Sequence, residues 1–153
     1  MTKKRLAGAI GLLLLMPLAA FGQFSSALDD ILEQSELQCG QAAYLALNAA
    51  GAAGETIEPQ AAWAQIQEYD WFSSDKQATD SVSLGEYSLM LMQLFEIPGG
   101  IMYSLFPSAR YASRELGFLG IIPQNAGAYR TLDGSEAVSI LGQVLQHQKE
   151  QNQ

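Results

Sequence analysis

Apolar and polar residues recur along most of the chain with the spacing of amphipathic helices. Leu28, Ile31 and Leu32 lie three or four positions apart among acidic residues, which predicts a helix over 24–36. The same pattern, bounded mostly by Gly or Pro, predicts five more helices. Their spans are 38–50, 59–71, 83–95, 107–119 and 133–147. Because no run alternates as a half-buried strand does, we predict an all-α fold class: a compact domain of five or six helices.

The helix predicted over 83–95 is apolar on nearly all of its sides, so we expect it at the centre of the core. Two helix starts carry the spacing of a capping box, in which each end of the motif satisfies a backbone amide of the other. These are Ser83 with Glu86 and Asp133 with Glu136, which we predict to be structural caps. The segment between the third and fourth helices, 73–80, is polar and is predicted to be a loop.

The helix starts form a degenerate repeat. Gln38, Ser83 and Asp133 each follow an apolar residue and precede Gln or Glu by three positions, at intervals of 45 and 50. Pro59 and Pro107, 48 positions apart, form a second series, and proline is favoured in the first turn of a helix. Each proline is followed by an aromatic-alanine pair. The pairs are Trp63-Ala64 and Tyr111-Ala112.

These units resemble the repeats of the S-layer homology domain, and about two and a half of them span residues 37–146. The best match runs through Tyr111-Ala112, Gly120-Ile121-Ile122 and Leu132-Asp133-Gly134-Ser135-Glu136. The resemblance implies a helical fold and binding of anionic wall polysaccharide, to which an Arg of the family motif contributes. The positions that match this Arg hold no basic residue; they are Cys39, Leu84 and Gly134.

The N-terminus has the three-part layout of a secretory signal: a basic start, an apolar stretch over Leu6–Leu18 and small residues before position 23. An uncleaved anchor is the alternative, but a membrane span needs about 20 apolar residues. We expect no span after cleavage. The predicted divisions are a signal peptide over 1–22, one domain over 23–147 and a frayed polar tail over 148–153.

Charge narrows the range of partners. The 153 residues hold 16 acidic and 8 basic side chains, a formal charge of −8. Cleavage would remove Lys3, Lys4 and Arg5, which takes the charge to −11. Such a chain repels nucleic acid and anionic lipid, so we expect neither as a partner. The single cysteine, Cys39, cannot form an internal disulfide and is predicted to be a small buried residue.

The few remaining basic residues mark a candidate contact surface for a ligand or partner. Arg110 and Arg114 share a helix face because they are four positions apart. Arginines edged by tyrosines suit a carboxylate or an acidic saccharide. The alternative is that they pair with acids such as Glu115 for structure. The predicted contact residues are Tyr103, Arg110, Tyr111, Arg114, Tyr129 and Arg130.

Other chemistry-bearing residues favour the core. Trp63, Tyr69, Trp71 and Phe72 are a candidate carbohydrate platform, although the repeat favours a core position for Trp63. Three methionines are interpreted as core residues, because no His or second Cys joins them. They are Met90, Met92 and Met102. His147, the only histidine, is expected near a helix C-terminus.

No constellation for catalysis, a metal or a cofactor emerges, so the predicted function is non-enzymatic. We expect an exported, periplasmic or cell-envelope protein that binds a wall or envelope component or a protein partner. The alternative is a structural or assembly subunit of a larger periplasmic complex, with the helix over 83–95 partly forming an interface.

Overall fold

A computed structural model describes residues 26–54 and 58–153, so the predicted signal peptide over 1–22 lies outside the described residues. Within them the chain forms seven helices and two isolated β-bridges but no strand, which confirms the all-α class. The helices are α1 (residues 26–32), α2 (Cys39–Ala49), α3 (Pro59–Gln67), α4 (Leu84–Leu94), α5 (Ile101–Leu105), α6 (Ala109–Phe118) and α7 (Gly134–Gln151).

The helices depart from the predicted ones at several places, and α1 is shorter, covering 26–32 of the described residues instead of 24–36. α3 ends at Gln67 rather than near 71, because the chain then turns through Asp70 in a left-handed conformation, φ 56°. α5 was not predicted at all. α7 continues to Gln151, four residues past its predicted end. The Gln148 amide donates a hydrogen bond to the Phe95 carbonyl (2.7 Å), which ties this last part of α7 to the end of α4.

The predicted N-caps Ser83 and Asp133 are confirmed, and the first of them forms the complete capping box. The Ser83 hydroxyl accepts from the Glu86 amide, and the Glu86 carboxylate accepts in return from the Ser83 amide at 2.8 Å. Asp133 accepts from the Glu136 amide at 2.7 Å. At this second site the Glu136 carboxylate pairs with Arg130 instead of accepting a hydrogen bond from the Asp133 amide. Each cap satisfies amides that would otherwise lack a partner at the helix start.

Three extended segments meet where α2, α4 and α7 begin. Each contributes one buried apolar residue: Leu37, Val82 and Leu132. The Leu37 amide donates to the Leu132 carbonyl (2.7 Å), and the Val82 amide donates to the Leu37 carbonyl (2.9 Å). We call this meeting point the three-segment junction. It joins parts of the chain that are about 50 and 95 positions apart in sequence.

A glycine that touches the backbone of another segment is the second residue of α2 and of α4 and the first residue of α7. A Cβ on Gly40 would lie 2.9 Å from the Pro59 carbonyl oxygen, and one on Gly85 would lie 2.8 Å from that of Ala109. The third glycine, in α7, would place its Cβ 1.7 Å from the Ile31 oxygen. Each long helix therefore packs against the backbone of a shorter one, and only glycine permits the approach. The third glycine is Gly134.

The contacts correct the predicted register of the repeat. Pro59 is the first residue of α3, as predicted. Pro107 does not open α6, because Ser108 follows it and caps a helix that begins at Ala109. Since Ala109 meets Gly85 as Pro59 meets Gly40, Ala109 is the equivalent of Pro59, and the interval is 50 rather than 48.

This register also separates the two aromatic-alanine pairs. At an interval of 50, Trp63 corresponds to Ser113 rather than to Tyr111. Ala62 and Ala112 become equivalent, and both are fully buried. The two aromatic-alanine pairs are therefore alike in sequence but do not occupy equivalent positions in the structure.

The core lies around α4, as predicted. Met90 and Met92 are buried there, and the buried Tyr87 hydroxyl donates to the Ala137 carbonyl of α7 (3.1 Å). Cys39 is fully buried, and burial raises the pKa of its thiol to about 12. The thiol stays protonated near neutral pH, which agrees with the small apolar role predicted for it. Met102, by contrast, lies on the surface.

Candidate functional site

A solvent-open groove of about 380 Å³ lies beside the three-segment junction. One wall comes from the loop between α3 and α4, and the other from the start of α6 and the loop that leads into α7. The antiparallel bridge between Ser83 and Thr131 brings the two loops together. We call the space between these two walls the interunit groove. Its lining residues are Lys76, Ser81, Val82, Ser83, Glu86, Ala109, Tyr129 and Thr131.

An ion pair between Lys76 and Glu86 determines the charge of the groove. The Lys76 ammonium donates a hydrogen bond to one oxygen of Glu86, and the other oxygen accepts from the Ser83 amide and hydroxyl, each at 2.8 Å. Burial acts to raise the pKa of Glu86, but the hydrogen bonds from Lys76 and Ser83 outweigh it and hold the pKa below its usual range. The carboxylate is therefore ionised at neutral pH, and its negative charge balances the positive charge of Lys76.

A second set of contacts holds Lys76 in place through its backbone. The Trp63 indole N–H donates to the Lys76 carbonyl at 3.0 Å, and the Gln67 amide donates to the same oxygen at 3.2 Å. Trp63 is buried and packs against Phe72, with ring centroids 5.4 Å apart. Trp63 is therefore a core residue, as the sequence favoured, and it also positions one wall of the groove.

Tyr129 supplies an exposed aromatic ring at the groove. It is 78% exposed and lies close in sequence to Thr131, whose side chain is also at the surface. Ser81 on the opposite wall donates a hydrogen bond to Glu36 (3.2 Å) and keeps capacity to accept. An apolar ring surrounded by a few fixed polar groups is the usual composition of a site that orients a polar organic ligand.

Tyr103 does not belong to a contact surface. It is buried, and its hydroxyl accepts a hydrogen bond from the Gln93 amide at 3.0 Å. Burial raises the pKa of this phenol. Its inclusion among the predicted contact residues was wrong, because the short helix α5 turns this side chain inward against α4.

The remaining predicted contact residues do not converge on one site. Arg110 and Arg114 are exposed on α6, and the Arg114 guanidinium lies 5.6 Å from the centre of the Phe118 ring. Neither forms an ion pair within the part of the chain that the structure describes. Tyr111 is half-buried against the core. Arg130 is bound to Glu136, and that hydrogen bond raises its pKa.

The other candidate aromatic residues pair with each other. Tyr69 and Trp71 stack with centroids 4.5 Å apart and planes 11° apart. One face of each ring is thus already covered. His147 lies four residues before the end of α7, near the helix C-terminus as expected, and lines a pocket that includes Glu96.

Sequence reasoning missed most of the groove. Lys76 stood alone in a polar loop, and Ser81 and Thr131 carry no motif. The available signal was the scarcity of basic residues: outside the predicted leader, Lys76 is one of only five. Its partner Glu86 was recognised as a cap, but the ion pair depends on the path of the loop.

A row of apolar side chains is exposed on α5. Ile101, Met102, Leu105 and Phe106 all lie at the surface, and we call them the α5 apolar face. The alternative function placed an interface on the helix over 83–95. That position was wrong, because the apolar residues of α4 are largely buried in the core.

Within residues 26–54 and 58–153, no three His, Cys, Asp or Glu side chains group closely enough to hold a metal ion. Over the same residues, no helix combines the length and the hydropathy required to cross a membrane. Comparison with family models, curated proteins and solved structures finds no match to this chain.

Proposed function

We propose that this chain is a non-enzymatic, exported cell-envelope protein that binds an envelope component through the interunit groove. The observation that carries the proposal is the exposed ring of Tyr129 beside the fixed Lys76–Glu86 pair. Export is inferred from the layout of residues 1–22.

The charge of the groove favours a neutral polar ligand. Lys76 is already neutralised by Glu86, so the groove offers no free cation to an anionic polymer. The S-layer homology repeats that the chain resembles take anionic wall polysaccharide with help from an Arg. This chain has Cys39, Leu84 and Gly134 at the matching positions. We therefore propose the uncharged part of a wall glycan as the ligand class.

Retention on purified wall material tests the groove. We expect Tyr129→Ala to weaken retention and to raise the Kd for solubilised glycan at least tenfold, which corresponds to about 1.4 kcal/mol. Tyr69→Ala is the matched control, because it removes another exposed tyrosine that does not line the groove. Equal binding by wild type and Tyr129→Ala would rule out the groove.

A second pair of variants separates the groove from the surface of α6. We expect the double variant Arg110→Ala/Arg114→Ala to bind like wild type, because neither side chain lines the groove. Loss of retention in this variant, with Tyr129→Ala unaffected, would move the site to the arginines of α6.

The alternative, a structural or assembly subunit of a larger complex, is favoured by one observation, the α5 apolar face. Large exposed apolar patches are uncommon on monomeric proteins and often mark interfaces. Size-exclusion chromatography with light scattering tests it: a mass of 16.5 kDa or less with no co-purifying partner would count against this function.

A further inference from the structure

A second groove, of about 420 Å³, lies between α2 and α7 and shares no lining residue with the interunit groove. We call it the α2–α7 groove. Among its lining residues only Asn48 has a polar side chain, and the Asn48 amide already donates to the Tyr44 carbonyl (2.8 Å). The groove therefore suits an apolar side chain. Its lining residues are Leu28, Leu45, Asn48, Ala49, Val138, Leu141, Gly142 and Leu145.

The first helix, α1, runs along α7 towards this groove. The Ile31 carbonyl lies against Gly134 at the start of α7. Leu28, three residues before Ile31, lines the groove together with Val138, four residues after Gly134. The two helices are therefore antiparallel, and a chain followed backwards through α1 advances along α7 and into the groove.

The apolar stripe of α1 has one more member before the described residues begin. Positions three or four apart share a helix face, so Phe24 belongs to the face that carries Leu28 and Ile31. At the antiparallel register with α7, the same spacing would bring Phe24 level with Leu141. Side chains of a helix lean towards its N-terminus, which would direct the ring further along the groove, towards Leu145.

We propose that the Phe24 ring packs into the α2–α7 groove of its own chain, so that the mature N-terminus completes the core there. Phe24 is two positions from Ser26, and two extended residues span only about 7 Å, so the ring stays close to the groove. After cleavage before Gln23, only residues 23–25 precede the described helix, so few residues lose conformational freedom. The inference does not depend on ligand binding in the interunit groove.

The charge of the new N-terminus also fits this place. α2 ends at Ala49, which lines the groove, and its last turn holds no basic residue. The C-terminus of a helix carries a partial negative charge that stabilises a nearby cation. Cleavage before Gln23 creates an amine one residue from Phe24, whereas the precursor has an uncharged peptide bond at that position. Removal of the leader thus favours the docked arrangement.

A free aliphatic molecule and a second copy of the chain are the competing occupants. The observations favour the chain's own Phe24, because the covalent link holds the ring beside the groove at an effective concentration of about millimolar or higher. Another occupant would have to displace it.

Nuclear Overhauser spectra of the exported protein test the contact directly. We expect cross-peaks between the ring protons of Phe24 and the methyl groups of Leu45 and Leu145, which line the groove. A sample that mixes labelled with unlabelled chains separates contacts within one chain from contacts between copies. Absence of these cross-peaks, or their presence only between copies, overturns the proposal.

Thermal unfolding measures what the contact contributes. We expect Phe24→Ala to lower the unfolding midpoint by about 5 °C or more, because apolar packing is lost. In a Leu145→Ala background the same change should cost less than half as much, because side chains in contact are not additive. Phe118→Ala, which removes an exposed phenylalanine, is the matched control and should shift the midpoint by less than about 2 °C. A shift for Phe24→Ala no larger than the control, or one unchanged by Leu145→Ala, overturns the proposal.

Discussion

Glu86 has two roles at the start of α4. It completes the cap with Ser83, and it pairs with Lys76 from a loop ten residues earlier. The sequence predicts the first role because a capping box is a local motif. It does not predict the second, which requires the loop to fold back so that Trp63 and Gln67 can bind the Lys76 carbonyl. A residue recognised as structural thus also sets the charge of the groove.

We expect Glu86→Gln to lower the free energy of unfolding by about 1–2 kcal/mol at pH 7. Hydrogen bonds hold the pKa of Glu86 in the folded state below its reference value of 4.5. The stabilisation is therefore present above pH 4.5 and is lost as the pH falls through the lower folded-state pKa. Urea unfolding of both proteins at several pH values between 7 and 3 should show the difference shrinking in acid.

The control for this measurement is Glu136→Gln, which removes a more exposed ion pair with Arg130. Exposed pairs contribute less than about 1 kcal/mol, so we expect a smaller effect at pH 7. A difference between Glu86→Gln and wild type that stays constant from pH 7 to 3 would contradict the assigned role of the carboxylate.

At the scale of elements, close backbone approach sets how the helices are assembled. Gly40, Gly85 and Gly134 follow the first residue or the cap of α2, α4 and α7, and each faces a neighbouring backbone. The capping motif and its spacing are visible in the sequence, but the reason for glycine within it is not. The tertiary structure supplies that reason: a carbonyl oxygen of a shorter helix lies so close that a Cβ at the glycine would collide with it.

We expect Gly134→Ala to destabilise the protein by about 3 kcal/mol or more, because its Cβ would overlap the Ile31 carbonyl and force the backbones apart. Gly142→Ala is the control in the same helix, where nothing lies within 4 Å of the new Cβ. It should stabilise by roughly 0.5–1 kcal/mol through helix propensity. Urea unfolding measures both changes; shifts of the same sign and size would contradict the close approach.

At the scale of the whole molecule, the predicted export would change the net charge of the protein. The predicted leader contains three of the eight basic residues, so its removal changes the formal charge from −8 to −11. The product would be a strongly acidic domain in which Lys76 and Arg130 are bound to acids. This distribution supports a neutral polar ligand or an apolar interface over a polyanionic partner.

We expect a Gram-negative host that expresses the full chain to release a periplasmic product that begins at Gln23. Intact-mass measurement of the periplasmic fraction identifies the N-terminus. Replacing Leu13 and Leu14 by Arg interrupts the apolar stretch and should leave the chain unprocessed. Recovery of a wild-type chain that retains Met1 in the membrane fraction would instead indicate an uncleaved anchor.

The sequence by itself determined the parts of the fold that depend on neighbouring residues. The starts of α2, α4 and α7, with the caps at Ser83 and Asp133, were predicted to within one residue, since periodicity and capping act over a few positions. The position of α4 in the core followed from its composition. α5 was missed because its five residues are too few for a helical period to stand out.

Only the tertiary structure decided which distant residues meet. The interval of 50 between units depends on contacts at Gly40 and Gly85, not on where prolines fall. Tyr103 turns inward, and Lys76 and Tyr129, 53 positions apart, line one groove because the bridge from Ser83 to Thr131 joins their loops. Short-range preferences fix helices and caps, whereas the groove and the α5 apolar face arise from how those helices pack.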